Sequence, residues 1–223
     1  MRRDLAPLID HTCVRPDAVG SDLTRLCDEA VHHRFATVCV NSAHVPFCTS
    51  LLADRQLPIA ATVGFPLGAS NPAAKAAEAA RAVADGAAEI DMVCRIGALK
   101  EGLRQIFIDD IRRVVDAASG CPVKAILETG LLTDDEKRRG AGWATIAGAS
   151  FVKTSTGFGG SGATEHDVRL LRREVGPELG VKASGGIRDA DTADRMISAG
   201  ANRLGTSAGV AIVTESKEIG EGY

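Results

Sequence analysis

The sequence predicts a (β/α)8 TIM barrel, an α/β fold in a single domain, on three observations. Short apolar, β-rich runs alternate with longer Ala-, Arg- and Glu-rich stretches of helical pattern, and that alternation is the mark of parallel βαβ units. Eight β-rich runs occur, with helical stretches between them. No linker, composition break or low-complexity segment divides the 223 residues, a length at which a barrel forms as one domain. The reading is therefore one domain over residues 1–223, with the polar, Gly-containing stretch 214–223 as a mobile tail. A doubly wound open sheet is the competing architecture. It would use fewer strands, and no G-x-G-x-x-G turn follows the first strand, where a dinucleotide-binding fold carries it.

The expected strands are Leu8–Thr12, Thr37–Val40, Ala60–Phe65, Glu89–Val93, Val123–Glu128, Ser150–Ser155, Gly180–Ala183 and Asn202–Gly205. The expected helices are Asp17–His33, Ala43–Arg55, Asn71–Asp85, Leu99–Ala118, Thr133–Ala147, Thr164–Val175 and Asp189–Ala199. Local signals mark several helix starts. Ser21 is a capping candidate within the first helical stretch. Asn71-Pro72 puts a cap residue before a proline at the first helical position. Thr133-Asp134-Asp135-Glu136 reads as a capping box with acidic residues in the first turn. Thr164-Glu165-His166-Asp167 reads as another start.

Composition narrows the function classes. Hydrophobic residues make up 45% and charged residues 25%, as in soluble globular proteins. A net charge of −3 and 4% aromatics argue against nucleic acid as a partner, since neither a basic face nor a stacking platform is available. No apolar run is long enough for a membrane span, and MRRDLAPLIDHT lacks the apolar core of a signal peptide. The six cysteines are scattered, so they read as reduced thiols of a cytoplasmic protein. The five histidines share no metal-ligand spacing, and no metal site is expected.

The most informative stretch is Phe151-Val152-Lys153-Thr154-Ser155-Thr156-Gly157, where Lys153 falls inside a buried strand. A lysine is rarely buried unless it is paired or functional. Val181-Lys182-Ala183-Ser184-Gly185-Gly186 repeats the arrangement. Two ammonium groups in one site disfavour each other's charge, which is a route to a neutral, nucleophilic amine. A free lysine with pKa about 10.4 is neutral in only about one molecule in 2,500 at pH 7, and bringing it to about 7 is worth on the order of 4–5 kcal/mol. Asp91 supplies a carboxylate for proton transfer at a third strand end. Together these roles suit imine formation with a carbonyl substrate. The structural alternatives are a snorkelling Lys153 and an Asp91 that simply pairs an arginine. Two such lysines beside Asp91 favour the chemical reading.

Glycine-rich turns at Thr156-Gly157-Phe158-Gly159-Gly160, Ser184-Gly185-Gly186-Ile187 and Gly205-Thr206-Ser207 follow the last three strands. Backbone N–H groups there can cradle a phosphate, and barrels use this end for it. Cys39 and Glu128 also stand near strand ends. Cys39 fits a core thiol better than a nucleophile.

At this point the chain resembles the deoxyribose-phosphate aldolases, from about Leu8 to Val213. The matching segments are IDHT (9–12), CVNSAHV (39–45), GFPLGA (64–69), EIDMV (89–93), IGALKEG (96–102), KAILETG (124–130), FVKTSTGF (151–158), VKASGGIR (181–188) and RLGTSAG (203–209). The resemblance implies reversible cleavage of 2-deoxy-D-ribose 5-phosphate to D-glyceraldehyde 3-phosphate and acetaldehyde. It also implies Lys153 as the Schiff-base lysine, Lys182 as the lysine that perturbs it, and Asp91 as the proton-transfer carboxylate. The phosphate cradle would comprise Gly157, Gly185, Gly186, Gly205 and Ser207, with Thr12, Cys39 and Thr154 as further site candidates. No metal or organic cofactor is implied, and a homo-oligomer, dimer or tetramer, is expected. Some members use a C-terminal tyrosine that reaches into the site, for which Tyr223 is the candidate here. The chain departs from the family at Cys13-Val14-Arg15, at Cys94-Arg95, which sets Arg95 near Asp91 as a pairing candidate, and at Ala208, where some members place a serine. The competing functions are a different sugar-phosphate lyase or isomerase on the same barrel, and a silent sugar-phosphate binder. The set Lys153, Lys182 and Asp91 favours the aldolase over both.

Overall fold

A computed structural model describes residues 4–216. Eight parallel strands close into a barrel in sequence order. They are β1 (Ile9–Cys13), β2 (Thr37–Asn41), β3 (Ile59–Val63), β4 (Glu89–Val93), β5 (Val123–Ile126), β6 (Phe151–Lys153), β7 (Gly180–Ser184) and β8 (Arg203–Thr206). The α-helices are α1 (Gly20–His33), α2 (Val45–Leu52), α3 (Pro72–Ala84), α4 (Ile96–Lys100), α5 (Arg104–Ala117), α6 (Asp134–Ile146), α7 (Glu165–Val175), α8 (Ala190–Ser198) and α9 (Gly209–Thr214). The predicted TIM barrel is the observed fold, and all eight strands fall where the sequence put them to within a few residues.

Several boundaries are corrected. The expected helix over residues 99–118 is two, α4 and α5, because Gly102 sits at φ +73 between them. The expected helix over 43–55 is a 3-10 turn, Ser42–His44, followed by the shorter α2. The strands expected to reach Glu128 and Ser155 stop at Ile126 and Lys153. Thr206, expected in the turn after the last strand, lies within β8. Ser21 is not the cap of α1. Val19 holds that position, and its N–H donates to the Asp22 carboxylate at 3.1 Å. Asn71, Thr133 and Thr164 do cap α3, α6 and α7. Helix α9 was not anticipated. Tyr223 lies outside the described residues.

Two-residue periodicity sorts the strand side chains. Ile9, Val38, Val40, Ala61, Val63, Ile90, Met92, Ala125, Leu127, Val152, Val181, Ala183 and Leu204 belong to one apolar core with the helices. Their alternates point into the barrel, and several of them are charged. Asp10, Glu89, Asp91, Lys124, Lys153, Lys182 and Arg203 meet in the interior. Phe151 lies beneath this layer, with Lys124 Nζ 5.9 Å and the Arg203 guanidinium 5.6 Å from its ring centre. Gly180 makes room for that ring, since a Cβ there would stand 2.0 Å from Phe151 Cδ1.

Candidate active site

Register alone brings the two predicted lysines together. Lys153 on β6 and Lys182 on β7 are partners across adjacent strands. Asp91 on β4 is the partner of Lys124 on β5. All four side chains turn inward, and Asp91 becomes the hub. Its Oδ2 accepts from Lys153 Nζ at 2.8 Å and from Lys182 Nζ at 2.7 Å, and its Oδ1 accepts from Lys124 Nζ at 2.8 Å. Cys39 Sγ lies 3.9 Å from Oδ2.

A second carboxylate backs the first. Asp10 on β1 pairs with Lys182 through Oδ2 and with Arg203 through Oδ1 at 2.6 Å. Glu89 pairs with Lys124 and, at 3.2 Å, with Arg203. Among the described residues the interior network thus holds three carboxylates (Asp10, Glu89, Asp91) and four cations (Lys124, Lys153, Lys182, Arg203). These pairings offset the cost of burial.

The electrostatic consequences follow from that balance. Burial alone would raise Asp10, but Lys182, Lys124 and Arg203 outweigh it and bring the carboxyl down to about 2. Asp91 is held well below the usual carboxylate range because Lys124, Lys153 and Lys182 overcome its burial. Burial would lower Lys182, yet Asp10 and Asp91 push it well above the ordinary lysine value, so it stays charged. Lys124 is raised likewise: Asp91 and Asp10 outweigh its burial. Burial, then the Asp91 charge, pushes the Cys39 thiol up. That thiol stays protonated at neutral pH, as fits a core thiol.

Lys153 differs from the other cations. It is 4% exposed, whereas Lys124 and Lys182 are fully enclosed. Among the described residues it pairs with one carboxylate, whereas Lys182 pairs with two and Lys124 with three.

The turns beyond β6, β7 and β8 gather at the same end. Gly157, Gly185 and Gly186 have φ of +92, +84 and +77, conformations that glycine adopts without penalty. The loops approach so closely that a Cβ on Gly162 would lie 2.2 Å from the Gly185 carbonyl oxygen. The N–H groups of Gly157, Gly185, Gly186 and Ser207 donate to no protein acceptor among the described residues. Gly205 stands apart from them. Its missing Cβ would lie 2.9 Å from Lys182 Cε, so it clears space for that side chain. Thr154 ties β6 to β7, its hydroxyl donating to Ser184 O and accepting from Ser184 N. Thr12 donates to Asp10 O in its own strand. Arg95 is not seen pairing with Asp91; its backbone N–H donates to Asp110 instead.

Sequence reasoning missed Asp10, Glu89, Lys124 and Arg203. Lys124 carried the same signal as Lys153 and Lys182, a lysine within an apolar strand, in Val123-Lys124-Ala125-Ile126. Asp10 carried it too, in Leu8-Ile9-Asp10.

A family model described as DeoC/LacD family aldolase matches residues 5–215. A protein of Bacillus licheniformis named deoxyribose-phosphate aldolase 1 is 53% identical over 214 residues, covering 96% of each chain. A deoxyribose-phosphate aldolase of a Geobacillus species is 49% identical over the full length of both chains. The solved deoxyribose phosphate aldolase of Aeropyrum pernix, described as a tetramer, superposes with a TM-score of 0.90 at 31% identity, covering 96% of this chain and 91% of its own. A barrel whose inward lysines converge on one carboxylate is thereby joined to sequence likeness over nearly its whole length, and the chain belongs to the DeoC/LacD aldolase family.

Proposed function

We propose that this aldolase reversibly cleaves 2-deoxy-D-ribose 5-phosphate to D-glyceraldehyde 3-phosphate and acetaldehyde through an imine on Lys153. The convergence of Lys153, Lys182 and Lys124 on Asp91 is the observation that carries the reading. Among the described residues four cations meet three carboxylates in the interior. Of the four, Lys153 gives up the fewest ion pairs in losing its proton, and it alone of the three lysines reaches solvent.

In the cleavage direction the Lys153 amine adds to the C1 carbonyl of the open-chain sugar. The carbinolamine then loses water to give the imine. Removal of the C3 hydroxyl proton breaks the C2–C3 bond, releases glyceraldehyde 3-phosphate and leaves an enamine. Protonation at C2 and hydrolysis return acetaldehyde and the free amine. The protonated imine takes up the electron pair of the broken bond, so the sequence needs no metal or organic cofactor. Asp91 and Lys182 stand within hydrogen-bond reach of Lys153 or of each other and serve as the proton relay.

The phosphate is assigned to Gly157, Gly185, Gly186 and Ser207, whose N–H groups have no acceptor in the described chain. A homo-oligomer is also proposed, in line with the tetrameric Aeropyrum relative. The six cysteines are all free, which supports a cytoplasmic setting, and no helix among the described residues is long and apolar enough to cross a membrane.

Borohydride trapping with 2-deoxyribose 5-phosphate, read by intact mass and peptide mapping, tests the proposal. A reduced adduct on Lys153 is expected. An adduct on Lys182 would keep the imine and exchange the lysine roles. Bound substrate with no adduct would overturn the imine mechanism.

A further inference from the structure

We infer that Glu128 is a positioning residue of the phosphate loop, holding the turn between β6 and α7 through Thr156. The inference rests on the reading of this site as a phosphosugar aldolase.

Glu128 is a buried, non-glycine residue in the left-handed region, at φ +57 and ψ +64. Such a conformation is unfavourable for an ordinary side chain and persists where the surroundings impose it. The cause lies in the ladder with β6. Leu127 N–H donates to Lys153 O at 3.0 Å, and Thr129 N–H donates to the very next carbonyl, Thr154 O, at 2.9 Å. Glu128 is therefore an extra residue between two bonds to successive carbonyls, the arrangement of a β-bulge. Bulges beside active sites re-aim a side chain.

The re-aimed carboxyl enters the turn that follows Lys153. It accepts from Thr156 N–H, at 3.2 Å to Oε2, and from the Thr156 hydroxyl. The same hydroxyl oxygen accepts from Phe158 N–H at 3.0 Å. Gly159 packs on the carboxyl so closely that a Cβ would stand 2.6 Å from Glu128 Cδ. Ser161 sits on Gly130 in the same manner, its Oγ 2.0 Å from where a Cβ would be. The opposite side of the loop is tied to β7, where Ala163 N–H donates to Ser184 O and Gly185 O. The loop is thus clamped from both flanks. Thr156 and Phe158 spend their N–H groups on the clamp, and Gly157 between them keeps its own for a ligand.

This geometry separates two effects. Loss of the Glu128–Thr156 contact should loosen the phosphate loop while leaving the Lys153 amine, Asp91 and Lys182 in place. Glu128→Gly removes the carboxyl and also relieves the positive φ. Thr156→Val removes the hydroxyl, and Thr156→Ser restores it.

The test measures kcat and KM on 2-deoxyribose 5-phosphate, together with borohydride trapping by acetaldehyde, which has no phosphate. For Glu128→Gly and Thr156→Val, KM is expected to rise about tenfold or more, with kcat and acetaldehyde trapping changed by less than about threefold. Thr156→Ser and Glu128→Gln should retain most of the wild-type KM. The double variant Glu128→Gly/Thr156→Val should raise KM by less than the product of the two single effects, because both remove the same Glu128–Thr156 hydroxyl contact. An unchanged or lower KM in Glu128→Gly would overturn the inference, as would a parallel loss of acetaldehyde trapping. A wild-type protein that traps acetaldehyde but not deoxyribose 5-phosphate would sink the functional reading itself, and this inference with it.

Discussion

Lys153 and Lys182 are partners on adjacent strands, and their ammonium groups share one oxygen, Asp91 Oδ2, at 2.8 and 2.7 Å. The pair differs in what lies behind it. Lys182 is also held by Asp10, which keeps it charged across the neutral range. Lys153 stands at the solvent side with Asp91 alone among the described carboxylates. A doubly paired cation and a singly paired one at the solvent side thus sit on a common anion, the arrangement on which the proposed imine chemistry rests.

Lys153→Ala should abolish turnover and borohydride trapping while the far-ultraviolet circular dichroism stays native. The truncation removes one ion pair and a stem at the edge of the interior. Turnover above a few per cent of wild type would remove Lys153 from its role.

Lys182→Leu should slow imine formation by about 10²-fold or more and move the pH optimum upward. With Lys182 gone, Asp91 is shared by Lys124 and Lys153 alone, and the neighbouring ammonium that disfavours a second positive charge is lost. The pH–rate profile reads this directly, and an unshifted profile would count against the coupling.

How much of this was legible without the fold follows from the residues themselves. Lys153, Lys182 and Asp91 stood out because a charge in an apolar, period-two run is conspicuous. Lys124 and Asp10 carried the same signal, but only the closed ring and its register show that Lys124 stands beside Asp91 on the neighbouring strand and that Asp10 of β1 meets Lys182 of β7 in the interior. Gly205 read as a strand-end glycine of the phosphate cradle because sequence cannot distinguish a glycine that approaches a ligand from one that clears space. Its partner, Lys182, comes from the neighbouring strand. Glu128 was visible as a residue near a strand end, and its left-handed backbone was not, since glutamate gives no hint of that conformation.

Gly205→Ala should fold and lose activity. Its Cβ would press on Lys182 Cε at 2.9 Å and Ser184 Cβ at 3.0 Å, so Lys182 must shift away from Asp91 or Asp10. A displacement of that order predicts a fall in kcat of about tenfold to a hundredfold with a smaller change in KM. Wild-type kcat in a folded variant would show that Lys182 tolerates the move.

Cys39 should resist alkylation by iodoacetamide at pH 8 in the native protein and react once urea unfolds it. Its thiol is fully buried and is kept protonated by burial and by the Asp91 charge, so the thiolate that would react is scarce. Peptide mapping of protein labelled before and after unfolding decides the matter. Rapid native labelling would mean that the interior opens to solvent.

The acid limb of stability should carry the signature of Asp10. Its folded carboxyl is depressed from 3.8 to about 2, because Lys182, Lys124 and Arg203 outweigh burial. A depressed carboxyl contributes stability that is fully present above the unfolded value and is lost as pH falls through the folded one. The window therefore runs from about pH 5 down to below pH 2, and the shift corresponds to about 2 kcal/mol. Asp10→Asn removes that titration and strands Lys182 and Arg203 beside a neutral group, at a cost of about 3–5 kcal/mol near neutrality. In urea unfolding the gap between wild type and Asp10→Asn should be widest above pH 5. It should then narrow toward pH 2 as wild-type Asp10 takes up its proton. A gap independent of pH would mean that Asp10 titrates alike in the folded and unfolded chains, contrary to its enclosure by three cations.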